Sequence, residues 1–207
     1  MLVLTHTYGP GNKSWSRYGV NRTELSVQKR FWFSAFGFAD VMLKGSREWG
    51  RTVYTNLLSP NANLSYTIQS ESFALVEPME FIGDTGVQWD VTYWANGALF
   101  NYIPLLKKLK LREVVAFRGW WSHLSSKNNP LLEHESLAMG ASSASQLLMW
   151  PDYVLATPMG SRPYMEISAG IDNFLKCLRI DYVWRLSYRD TPGVSRSGLR
   201  VAFHVTF

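Results

Sequence analysis

Strict two-residue alternation at the C-terminal end constrains this chain more than anything else in it. From Gly198 to Phe207 it reads GLRVAFHVTF. Leu199, Val201, Phe203, Val205 and Phe207 make one row; Gly198, Arg200, Ala202, His204 and Thr206 make the other. Successive side chains of a strand point to opposite faces, so one face is wholly apolar and the other small or polar. An edge strand with such a face is an aggregation hazard in water. The same pattern suits a transmembrane β-barrel, which turns apolar residues to lipid and polar ones to the lumen.

The preceding stretch repeats the rule. Leu178, Ile180, Tyr182, Trp184, Leu186 and Tyr188 form an apolar row, opposed by Arg179, Asp181, Val183, Arg185 and Ser187. Full charges alternating with large apolar residues at a period of two fit no helix. The stretch also matches the roughly 9–11 residues a tilted strand needs to cross the hydrocarbon layer. Between the two lies DTPGVSRS (190–197), a polar turn rich in breakers, so a terminal hairpin is expected. The competing reading is a water-soluble antiparallel sandwich or a lipocalin-like binding barrel. That fold would tuck Tyr182, Trp184 and Leu186 inside and send Arg179 and Arg185 out to water, the reverse of the membrane arrangement.

Length and composition agree with a single barrel domain spanning 1–207. The 207 residues are 14% aromatic and include nine Trp, and Trp and Tyr gather at membrane interfaces. Trp94, Trp120, Trp121, Trp184 and Tyr188 fall near expected strand ends. A net charge of +5 without a basic run or basic-aromatic repeat makes nucleic acid a poor partner. Basic lumen residues, or contacts with anionic lipopolysaccharide, account for the charge equally well. Cys177 is the single cysteine, so no intrachain disulfide can form. No apolar stretch approaches the roughly 18 residues of a membrane-spanning helix. The opening MLVLTHTYGPG lacks the basic start and cleavage site of a signal peptide. An outer-membrane protein needs one, so the expectation is an N-terminally truncated segment.

Along the chain, strands are expected at 2–8, 23–33, 38–45, 87–96, 109–122, 164–171, 178–188 and 198–207. The connections 9–22, 48–85, 123–162 and 189–197 fall on one side of such a sheet. The connections 34–37, 97–108 and 172–176 fall on the other. Long loops outside and short turns inside are the asymmetry of outer-membrane barrels. The 48–85 stretch, with poor periodicity, reads as a long loop.

The segments SESFALVEPMEFIGD (70–84), NGALFNYIPLLKKLKLREVVAFRG (96–119) and PYMEISAGIDNFLKCLRIDYVWRLSYR (163–189), with the terminal Phe, carry a resemblance. They resemble the C-terminal region of an uncharacterised outer-membrane family whose members have a signal peptide and an N-terminal carboxypeptidase-regulatory-like domain. That barrel is distantly similar to the surface-antigen and barrel-assembly superfamily. The resemblance covers most of 50–207 and implies an all-β, antiparallel transmembrane β-barrel. This chain would supply about eight strands, the C-terminal half of a ring of about sixteen. It implies no reaction. The superfamily carries an Arg-Gly-Phe motif on a lumen-inserted loop. The nearest match here, Phe117-Arg118-Gly119-Trp120, lies on an expected strand, so that role is not transferred.

No motif calls for a cofactor or metal. His6, His123, His134 and His204 are scattered without ligand spacing. Glu133-His134-Glu135 reads as a solvated loop, and His204 as a hydrogen-bonded lumen residue. A lipid- or lipopolysaccharide-modifying enzyme would need a Ser–His pair. Ser142, Ser143 or Ser145 with His123 or His134 could supply it only with an orienting carboxylate. The preferred reading is therefore a non-enzymatic outer-membrane barrel serving envelope assembly or transport. Arg179, Asp181, Arg185 and Glu166 are expected to form a lumen charge network, with Asp90 and Glu113 as further partners, because an Arg facing mid-bilayer lipid costs about 2–4 kcal/mol. Expected partners are outer-membrane lipid, lipopolysaccharide and the insertion machinery. That machinery would read Leu199, Val201, Phe203, Val205 and Phe207 as an insertion-signal strand. Replacing Phe207 by Asp is expected to lower outer-membrane assembly of the full-length protein, measured by fractionation; normal insertion would remove that role from the terminal row.

Overall fold

The computed structural model describes residues 1–11, 19–95, 97–129 and 157–203. Its frame is one antiparallel sheet of eight strands. In chain order the strands are β1 (Leu2–Gly9), β2 (Val20–Trp32), β3 (Phe38–Glu48), β4 (Phe81–Ile82), β5 (Thr85–Ala95), β6 (Arg112–His123), β7 (Thr157–Pro158), β8 (Tyr164–Phe174), β9 (Leu178–Arg185) and β10 (Ser197–Phe203). The sheet order β1-β2-β3-β5-β6-β8-β9-β10 is a meander. The short strands β4 and β7 form a separate parallel pair. The helix α1 (Pro104–Leu109) sits in the β5–β6 connection. It starts on Pro104, whose missing N–H costs nothing at a helix N-terminus.

Period-two patterning assigns each strand two faces, and burial separates them. On β9 the charged row is inside: Arg185 is 2% exposed, while Tyr182, Trp184 and Leu186 are 41%, 42% and 41% exposed. The same division runs through the middle of the sheet and is lost at its edge, where β1 is exposed on both faces. Leu2, Leu4, Leu25, Val27, Leu43, Val115, Ile171 and Leu199 face out and are exposed. Gln88, Thr92, Arg118, Glu166, Ser168, Arg179 and Asp181 face in and are buried. The soluble-sandwich arrangement requires the opposite, and this burial pattern is its inverse.

The inner face is covered by the chain itself. The 48–85 stretch, expected as an outside loop, instead folds back across the inner face of the sheet. Leu58, Phe73, Val76 and Phe81 from this inserted segment pack with Trp120, Tyr164 and Met159 as the main apolar cluster. Phe73 and Phe81 meet the Tyr164 ring at centroid distances of 5.6 and 5.4 Å. The sequence reading fails here for a physical reason. This segment buries its apolar residues without regular structure, so no period marks them.

Other differences are smaller. Among the described residues the sheet is open, with β1 and β10 as its two edges, and a closed barrel is not seen. β9 ends at Arg185 rather than Tyr188, because Arg185 and Ser187 turn inward to bind the inserted segment and β8. β3 runs on to Glu48, and β8 to Phe174 with a register shift between Ile171 and Phe174.

On the outer face the Trp89 ring lies flat over Gly119 of the neighbouring strand, where an added Cβ would come within 2.0 Å of it. Gly119→Ala is expected to lower the denaturant midpoint of the full-length protein. Trp89→Leu in the same chain should recover part of the loss, and a non-additive double-mutant cycle would report the contact.

Candidate functional site

The inward faces of neighbouring strands align into rows, and one row carries alternating charge. Register places Gln28, Met42, Asp90, Arg118, Glu166 and Arg185 directly opposite one another across β2, β3, β5, β6, β8 and β9. The last four run negative, positive, negative, positive. Opposite charges on facing positions stabilise a sheet, where like charges would destabilise it. Arg118 Nε donates to Asp90 at 2.7 Å.

Glu166 and Arg185 turn their charge to the inserted segment. The Glu166 carboxylate accepts the backbone N–H of Ala74 at 3.0 Å and of Leu75 at 2.7 Å. It also accepts the Tyr164 hydroxyl at 2.6 Å. Arg185 Nη1 donates to the Leu75 carbonyl at 3.0 Å, and its Nη2 donates to Glu80. Its Nε reaches the Ser187 carbonyl at 3.1 Å, and its guanidinium lies 4.7 Å from the Tyr164 ring centroid. Arg200 Nη2 on β10 donates to the Ala74 carbonyl. Both N–H groups and both carbonyls of Ala74–Leu75 are thus held by side chains of the sheet. This matters because the segment has no ladder of its own, and buried backbone groups must be paired.

A second pair lies nearer the short turns. Arg179 binds Asp181 two residues along β9, at 2.9 and 2.5 Å, and its guanidinium sits 5.4 Å from the Trp94 ring centroid. Gly170 faces Asp181, and an added Cβ there would lie 2.1 Å from the carboxylate. Beside this pair a groove of about 660 Å³ runs between residues 68–71 and the inner face, bordered by Arg30, Asp40, Asp90, Trp94, Arg118 and Arg179. Arg30 is paired with Asp40 at 2.6 Å. Each of these three arginines carries a carboxylate partner, so the groove presents little net charge with which to select ions by sign.

The structure places Arg179, Asp181, Arg185 and Glu166 on one inner face, but in two clusters rather than one network. Asp90 pairs with Arg118. Glu113 does not join these clusters: its carboxylate accepts the Leu99 and Phe100 N–H groups at 2.8 and 2.6 Å and closes the β5–β6 connection. Glu80, the partner that fixes Arg185, is the residue sequence reasoning missed. Nothing in its spacing sets it apart from Glu71, Glu77 and Asp84 in the same stretch without period. In the insertion-signal row, Leu199, Val201 and Phe203 face outward on β10, while Val205 and Phe207 lie outside the described residues. His134, His204, Glu133, Glu135, Ser142, Ser143 and Ser145 lie there too. His6 meets the Thr23 hydroxyl at 2.9 Å, and His123 is exposed at the end of β6. No three ligating side chains converge among the described residues.

No protein-family model, curated protein or solved structure matches this chain. What the site can do is therefore read from its geometry. Its arginines are paired with carboxylates or with the backbone of the inserted segment, and it binds the chain's own backbone.

Arg185→Met would strand Glu80 and the Leu75 carbonyl in a buried site. The expected cost is about 3–5 kcal/mol in a denaturation series, with new proteolytic cleavage between residues 61 and 84. Glu80→Leu combined with Arg185→Met should recover much of that loss. An unchanged midpoint for the single variant would show that the inserted segment does not depend on this pair.

Proposed function

We propose that this chain forms part of the wall of a bacterial outer-membrane β-barrel and supplies the segment that fills its lumen, without enzymatic activity. The observation that carries the reading is the inverted burial. Aromatic and aliphatic rows are exposed around the outside of the sheet, and arginines, aspartates and glutamates are buried within. In water this arrangement forfeits the hydrophobic contribution of the exposed rows. In a bilayer those rows meet acyl chains, and the charged row stays enclosed.

The inserted segment bears on ring size. A closed ring of about eight strands has an interior just wide enough for side chains, and this interior already holds a polypeptide. Hydrocarbon also leaves no open sheet edge unpaired, since each unsatisfied backbone group there costs several kcal/mol. Closure therefore calls for further strands beyond these, as the C-terminal half of a wider ring. The family resemblance of 70–84, 96–119 and 163–189 gives the expected total of about sixteen. On this reading lipid and lipopolysaccharide surround the outer face, and the insertion machinery engages β10 during assembly. A clamped plug suits a protein of envelope assembly or of regulated transport better than an open pore.

Leu43 stands at the middle of β3 on the outer face, half exposed. Leu43→Arg separates the two solvents. Facing lipid, it should cost about 2–4 kcal/mol of folding stability in vesicles and reduce the outer-membrane fraction. Facing water, it should fall within about 0.5 kcal/mol of the parent, and that outcome would overturn the membrane assignment.

A further inference from the structure

The two edges of the sheet are not alike. Among the described residues no segment pairs with the free edge of β1, and nearly all its residues are exposed on both faces. β10 does not. Residues Tyr66–Ile68 of the inserted segment lie alongside it in a parallel bridge between Thr67 and Val201. The Val201 N–H donates to the Tyr66 carbonyl at 2.8 Å, and the Ile68 N–H donates to the Val201 carbonyl at 2.9 Å. Arg200 reinforces this. Its Nη1 donates to the Leu199 carbonyl at 2.9 Å, while its Nη2 holds Ala74 of the same segment. The short stretch is shaped in advance: the Asn63 side chain, buried, donates to the Thr67 carbonyl at 2.6 Å, and Asn63 itself is tied to Phe73.

We propose that Tyr66–Ile68 is an exchangeable guard on the outer edge of β10, and that the strand completing the ring beside β10 takes its place. The proposal rests on the barrel reading above. An unpaired apolar edge is a template for wrong pairing while the chain is still in water. The guard covers the β10 edge at its centre and leaves most of its length free. On β10 the backbone groups of Leu199, Val201 and Phe203 share the outward direction, because alternate residues of an antiparallel strand bond to the same side. The guard satisfies both groups of Val201, and Arg200 satisfies one of Leu199. A full strand would pair the groups of all three, so exchange gains hydrogen bonds in the medium where unpaired groups cost most. Release of Tyr66–Ile68 need not release the plug, because Ala74 and Leu75 remain fixed by Glu166 and Arg185.

The test uses the full-length protein with Cys177→Ser, Thr67→Cys and Val201→Cys, which places two engineered thiols at facing positions of the bridge. Two pools are oxidised: protein held in the periplasm by depletion of the insertion machinery, and protein recovered from the outer membrane. The expected result is a disulfide between positions 67 and 201 in the first pool and free thiols in the second. Oxidising the first pool before insertion should also block appearance of the heat-modifiable form, and reduction should restore it. A disulfide formed equally in both pools, or an oxidised chain that inserts normally, would overturn exchange. Absence of the disulfide from both pools would overturn the guard itself. The barrel reading is scored apart, by the Cys177→Ser protein alone. If that protein is missing from the outer membrane in heat-modifiable form, the membrane assignment fails and exchange with it, whatever the thiols do.

Discussion

Charges placed on alternate positions of a strand, between large apolar neighbours, can only be turned to one side, and everything else here follows from which side that is. Arg179, Asp181, Arg185 and Glu166 go inward. A buried charge without a partner is far costlier than a buried apolar group, so the inner face must be furnished with partners. Some come from adjacent strands, as Asp90 does for Arg118. Others cannot, because a row of side chains on one sheet has a limited set of neighbours. The inserted segment provides the remainder, through Glu80 and through the peptide groups of Ala74 and Leu75. The interaction works in both directions. The segment has little secondary structure beyond the short strand β4 and isolated bridges, so it needs the sheet's charged groups as much as they need it.

The inserted segment and the sheet are consequently locked together. Glu166 spans the two peptide N–H groups as a bidentate acceptor, and Arg185 closes the same turn from the carbonyl side. Bonds to charged groups are about twice as strong as neutral ones, and their geometry specifies a single seating for residues 73–76. Apolar contacts among Phe73, Phe81 and Tyr164 supply area but are indifferent to a shift along the sheet. The polar clamp supplies the register. Buried ion pairs often add little net stability relative to apolar replacements, which is consistent with a role in specifying position rather than in tightening the fold.

What the sequence made legible divides along the same line. The strands and their two faces were readable because period two is enforced by the pleat, and the charges on 179, 181 and 185 shared one face, which a membrane barrel would turn inward and a soluble sandwich outward. Arg179 and Asp181 were found but given the wrong partners. Residues two apart on a strand share a face, and a long guanidinium can fold back along its own strand, which cross-strand reasoning overlooks. Glu113 was placed in the lumen because an acid interrupting an apolar row looks misplaced, whereas at a strand end it can bind the backbone of the adjoining turn. The fate of 48–85 was not readable at all. Its residues obey no period, since each is positioned by a different contact with the sheet. Glu80 gains its role as partner of Arg185 from a strand more than a hundred residues away along the chain.

An interior occupied in this way limits how the edges can be satisfied. Bringing β1 round to β10 within one chain would require the concave space to shrink to side-chain width, expelling Phe73, Val76 and Phe81 from the cluster they share with Trp120 and Tyr164. It would also uncover the groups of Ala74 and Leu75 that the clamp now pairs. Keeping the plug and closing the ring are compatible only if the curvature is gentler and more strands share it. If the sheet closes as proposed, the inserted segment sets a lower bound on the size of the ring, and it does so through the same few charged side chains that decide which face of the sheet is inside.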